Sequence, residues 1–292
     1  MHSKLFQQTN ASMDARQRAI EQRVVADPIV SLVLGIDAAW TATQPSGIAL
    51  VRGRGDRWQC LALAPSYASF LAGGDVDWTA RPEPAAPDPG ALIAAAVRIA
   101  GAAPDVIAID MPLSTGPITR RRAADNAISR AYGGRGLGAH SPSPERPGPL
   151  ADAMHAGFAA HGYRLACTST APGTPRVMIE VFPHAAAIEL VGASYRVPYK
   201  LARIAQYWPD LAPRERRRAV LAQWRRLRRA LASRITGGTL RIPSTGPLAA
   251  LKRYEDAMDA LICAWIGVEY LGRRMRPHGD ETSAVWMPLQ SV

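Results

Sequence analysis

The stretch DVIAIDMPL, residues 105–113, sets the architecture. Val106 to Ile109 form an unbroken apolar run. Such runs belong to strands buried on both faces of a sheet, hence central and flanked by parallel neighbours. Asp110 closes the run, and a Met-Pro-Leu turn follows. Aspartate is common at strand-to-turn junctions. A carboxylate carried by a central strand is nevertheless costly unless it is paired or holds a cation.

Upstream, GALIAAAVRIAGA (90–102) predicts a helix that crosses over into this strand. Before it, SLVLGIDA (31–38), GIALVR (47–52) and RWQCLAL (57–63) predict three strands, the last two joined by a GRGD turn signal. Short links make these three an antiparallel meander, and strand–helix–strand order makes the next connection parallel. Downstream, residues 117–132, 150–162, 213–235 and 248–272 predict helices. GGRGLGAHSPSPERPGP (133–149) is a long Gly- and Pro-rich loop of the kind that often carries function. RLACTST and RVMIEVF predict a hairpin, or a strand after a loop. The fold class is α/β, in one domain over 29–275. A loop and helical insertion occupies 112–175, a polar arm with a short helix at 11–24 occupies 1–28, and a tail occupies 276–292.

The 292 residues are 48% hydrophobic and 20% charged, enough for a substantial core. No apolar run approaches the roughly 20 residues that span a bilayer, and the N-terminus lacks the apolar segment of a signal peptide. A cytoplasmic protein is the expectation, with no membrane partner. Cys60, Cys167 and Cys263 are far apart, which argues against a zinc site or a disulfide framework. The net charge of +11 favours a polyanionic partner. Only Lys4, Lys200 and Lys252 are lysines, and the chain is rich in Ala, Gly and Pro. Where the arginines stand therefore says more than how many there are.

Four groups of carboxylates stand out. Asp37 ends the first strand in VLGIDAAW, and Asp110 ends the fourth. Glu180 lies inside the apolar RVMIEVF, where an ion pair to Arg176 or a similar group is the simplest structural role. In YEDAMDALICAWIGVEYL, Asp256 and Asp259 share a helix face beside a stripe of small residues, Ala257, Ala260, Cys263, Ala264 and Gly267. Acids near a helix start are also favoured by its dipole. One site explains all four groups together. Clustered carboxylates repel unless a cation neutralises them, and hard oxygen ligands suit Mg²⁺ or Mn²⁺. Asp37, Asp110, Glu180 and Asp259 are the expected ligands, with Asp256 the alternative helical ligand.

GIDAAW, IAIDMPL, IEVFP and DAMDALICAW, in this order, resemble a family of predicted RNase-H-like nucleases, a domain of unknown function numbered four hundred and twenty-nine. The resemblance runs from about residue 31 to 270. It implies a ribonuclease H-like mixed five-stranded sheet, meander first and parallel strands after, flanked by helices. It implies metal-dependent phosphodiester hydrolysis by Asp37, Asp110, Glu180, Asp256 and Asp259. It also places Arg122 and Asp125, from RRRAADNAISR, near the site.

Residues 201–234 hold ten arginines against Asp210 and Glu215, a net +8. Val220, Trp224, Leu227 and Leu231 repeat at helical spacing within them, so the helix is amphipathic and strongly basic. A solvated face is the ordinary reading of such a run. The scarcity of acids nearby favours phosphate contacts through Arg217, Arg225, Arg226, Arg228 and Arg229, with nucleic acid, DNA or RNA, as the partner. His140, His155, His161 and His184 lack metal-ligand spacing. The expected function is a divalent-metal-dependent nuclease with two metals. The alternatives are a nucleic-acid-binding protein with a vestigial site and a phosphotransferase of the actin and sugar-kinase type.

Overall fold

The run at 106–109 lies at the centre of a mixed sheet, as its composition requires. In the computed structural model, which describes residues 30–289, β1 (Ser31–Asp37), β2 (Gly47–Arg54) and β3 (Arg57–Ala64) form the antiparallel meander. β4 (Val106–Ile109) lies parallel to β1. β5 (Arg164–Leu165) and β6 (Val177–Val181) pair in parallel, not as a hairpin, and β6 also runs parallel to β4. The polar arm expected at 1–28, with its helix at 11–24, lies outside the described residues.

The sheet has nine strands among the described residues, not the five expected. β7 (Ile235–Gly237) joins the β3 edge in parallel. β8 (Met275–Gly279) and β9 (Ala284–Pro288) form a hairpin whose β9 runs parallel to β6. The tail expected at 276–292 is thus largely sheet. Pro277 counts against a strand in the sequence, yet β8 is an edge strand, where a missing N–H costs no ladder bond.

Among the described residues, eight α-helices cover the two faces. Under one lie α1 (Tyr67–Ala72), α2 (Pro89–Ala100) and α4 (Pro149–Ala160), packed on Leu34, Ile36, Ile107, Ile109 and Met178. The other face carries α3 (Ala123–Tyr132), α5 (Pro183–Val191), the short α6 (Ile204–Tyr207), α7 (Pro213–Ala232) and α8 (Leu248–Leu271), over Val33, Ala49, Val106, Ala108 and Ile179. α3 starts later than the expected 117 because Asp125 caps it: its carboxylate accepts the Arg122 backbone N–H at 2.8 Å while Arg122 stays extended.

α8 is buried on every side from Tyr254 to Tyr270. Its small stripe meets glycines of the sheet. A Cβ at Gly35 would overlap the Ala260 carbonyl and the Ala264 nitrogen, and one at Gly47 would overlap the Asp256 carbonyl. Gly267 repeats this from the helix side, against Val33. Backbone-to-backbone contact of this kind brings the acids of α8 to the end of β1.

Candidate active site

Side chains alternate across a strand. In β1, Val33 and Gly35 face α8, so Asp37 does too; in β4, Val106 and Ala108 place Asp110 on the same face. Ile36 pairs with Ile109, and the Asp110 N–H donates to the Ile36 carbonyl at 2.9 Å. The two aspartates therefore stand side by side where adjacent parallel strands end. Neither carboxylate accepts a hydrogen bond among the described residues. Burial pushes the Asp37 carboxyl well above its ordinary range; Asp259 and Asp256 add to this, and Lys200 and Lys252 oppose it. Burial likewise pushes Asp110 up to about 7, against the pull of Lys200 and with help from Asp259 and Glu180.

From α8, Asp259 is fully buried and accepts the Tyr199 hydroxyl at 2.6 Å and the Lys200 ammonium. Burial disfavours the Lys200 charge, but Asp259, Tyr199, Glu255 and Asp37 together outweigh it and the ammonium's pKa is raised. Asp256 pairs with Lys252, one turn away, and burial lifts its carboxyl to about 6. Glu255 accepts the Leu201 N–H at 2.6 Å, which ties the 199–201 segment to the helix.

Glu180 pairs with Ile109 across the ladder, one position from Asp110, and lines a small cavity with it. There Arg122 clamps it with two bonds of 2.6 and 2.7 Å, and the Leu113 N–H adds a third at 2.8 Å. Both of its oxygens thus already serve a structural pair. Arg122 is spent on the same pair. It also binds Asp125 at 2.6 Å and the Leu113 carbonyl at 2.6 Å, and it is buried, which removes it from any nucleic-acid surface.

Asp37, Asp256, Lys200 and Lys252 line a cleft of about 810 Å³, together with Trp40 and with His140, Ser141, Ser143 and Arg146 of the long loop. Trp40 and His140 also wall a cavity of about 150 Å³ that reaches Asp110 and Phe182. Among the described residues, no group of three or more His, Cys, Asp or Glu side chains is arranged to hold a metal. Two unpaired carboxylates, Asp37 and Asp110, are what the chain offers. That donor set fits a single Mg²⁺, which commonly takes one or two carboxylates and keeps water for its remaining positions.

The basic helix divides on inspection. Arg217 donates to the carbonyls of Pro243, Ser244, Thr245 and Gly246, and so holds a turn in place instead of reaching outward. Arg226 reaches the Val191 carbonyl at 3.0 Å. Arg225, Arg228 and Arg229 line a cavity of about 290 Å³ beside Gly237 and Gly238. No described helix is long and apolar enough to cross a membrane.

A family model described as "Protein of unknown function (DUF429)" matches residues 35–282. No curated protein and no solved structure matches the chain. The match corrects the attribution read from the four motifs. The family it identifies is a domain of unknown function, and its description carries neither a nuclease activity nor a ribonuclease H-like membership.

Proposed function

We propose, for a chain that belongs to the DUF429 family of proteins of unknown function, that the cleft hydrolyses phosphodiester bonds of a nucleic acid with one divalent cation held by Asp37 and Asp110. The observation that carries this reading is the pair itself: two half-buried carboxylates at the ends of adjacent parallel strands, unpaired among the described residues and both with raised proton affinity. A cation relieves that repulsion. Mg²⁺ or Mn²⁺ held there would polarise a phosphoryl oxygen and acidify a bound water. Lys200 stands against Asp259 and can turn its ammonium toward the added negative charge of a phosphate; Lys252 and Arg146 line the same cleft. His140, in edge contact with Trp40, lines the cleft from the loop side.

The test is hydrolysis of fluorescent single-stranded and duplex DNA and RNA in Mg²⁺, Mn²⁺ or EDTA, with Asp37→Asn and Asp110→Asn beside the native chain. The expected result is cleavage that EDTA stops. Each substitution should lower it at least about 100-fold, since even groups that merely orient metal ligands cost 10–100-fold when changed. Cleavage indifferent to EDTA and to both substitutions would overturn the reading. A binding protein without catalysis is the second reading, favoured by the lysines that already neutralise Asp259 and Asp256. It predicts nucleic-acid binding with no cleavage in any metal.

A further inference from the structure

α7 separates its arginines by orientation. Its apolar stripe, Val220, Trp224, Leu227 and Leu231, is wholly enclosed in the core, and the Trp224 indole donates to the Tyr199 carbonyl at 2.7 Å. Arg216 and Arg217 donate to nearby carbonyls, and Arg226 to Val191. At 100° per residue, the remaining five, Arg214, Arg218, Arg225, Arg228 and Arg229, fall within an arc of about 100°. None of the five pairs with a carboxylate among the described residues, and all but the half-buried Arg228 are exposed. The one acid of the helix, Glu215, is occupied in capping it, where it accepts the Ala212 N–H at 3.0 Å. Three members of the stripe line the 290 Å³ cavity, whose other walls are apolar or uncharged: Met258, Leu261, Leu240 and the Gly237–Thr239 segment.

We propose that this stripe seats the phosphate backbone of a nucleic acid, with a phosphate entering the cavity between Arg225, Arg228 and Arg229. From Arg214 to Arg229 the helix runs about 22 Å, at 1.5 Å per residue. A row of like charges on one edge suits a partner whose charges also repeat in a row, about 3.4 Å apart along a duplex strand. An anionic membrane fits less well. A basic helix lies on lipid by sinking its apolar face into it, and here that face is locked inside the protein. Contacts to phosphate carry no sequence information, so binding through the stripe is indifferent to sequence. The proposal stands apart from the hydrolytic reading of the cleft, because it concerns binding and is tested with the cleft silenced by EDTA.

The experiment is fluorescence polarisation of the full chain with two labelled duplexes of unrelated sequence, from 50 to 200 mM salt. Compared with it are a variant carrying Arg→Gln at 214, 218, 225, 228 and 229 and a variant carrying Arg→Lys at the same positions. A control carries Arg→Gln at the exposed Arg81, Arg120, Arg130, Arg164 and Arg276. The Gln stripe should weaken binding to both duplexes alike and flatten the log–log salt slope by up to about 0.9 per lost contact. The Lys stripe and the control should keep the native slope. An unchanged slope in the Gln stripe, or an equal loss in the control, would overturn the proposal. So would native binding to phosphatidylserine vesicles or polyglutamate but to neither duplex.

Discussion

Two of the chain's three lysines stand in the cleft. Everywhere else in the described residues a positive charge is carried by arginine, so a retained lysine is itself a signal, and it is the one that points to Lys200 and Lys252. Each carries a compact ammonium on a flexible stem and sets it against a carboxylate of α8, Lys200 on Asp259 and Lys252 on Asp256. Lys200→Met strands the enclosed carboxylate of Asp259, and the expected cost is about 3–5 kcal/mol. Urea unfolding measures it, and most of it should return in Lys200→Met/Asp259→Asn. Asp110 gives a pH dependence. Its carboxyl titrates near 7 in the fold and near 3.8 when unfolded. The native state therefore binds the extra proton between these values, and stability falls as pH rises from about 4 to 7. In metal-free buffer, Asp110→Asn should melt close to the native chain at pH 4–5 and above it at pH 8, by about 2–4 °C per kcal/mol relieved. A melt no higher at pH 8 than at pH 5, relative to the native chain, would contradict this. Asp37 and Asp110 are legible in the sequence because each ends an apolar run. Glu180 is legible there as a glutamate among apolar residues in RVMIEVF, but its pairing with Arg122, 58 residues away, is not.

At the scale of elements, the small stripe of α8 is readable at helical spacing, and its counterparts on the sheet are the glycines Gly35 and Gly47. Gly35→Ala forces the helix backbone away from β1, with an expected loss of about 1–3 kcal/mol or more from overpacking. Thermal unfolding checks it. Unchanged stability would mean that the helix does not rest on β1. The basic helix is legible as an element and not residue by residue. Arg217 counts as a surface charge in the sequence, yet its partners are four carbonyls of a turn that lies 26–29 residues further on. β8 and β9 escape sequence reading for a related reason. Each is five residues long, and Pro277 breaks the pattern at a place where only the edge position makes it harmless.

For the molecule as a whole, the meander, the parallel crossover and the late helix are present in the sequence as periodicities, and the acids at β1 and β4 follow from them. What periodicity does not carry is the pairing of distant segments, which adds β7 at one edge and the β8–β9 hairpin at the other. The family match, over residues 35–282, spans both the cleft and the arginine stripe. The enclosure of α8 has a consequence for how the chain is made. The ribosome delivers β1 and β2 almost two hundred residues before the helix that covers them. Until residue 271 has emerged, Val33, Ala49, Val51 and Ala108 have nothing to lie against, and the sheet cannot close. A nascent chain in that condition presents an apolar surface until α8 arrives, and the acidic cleft comes into being only with that helix.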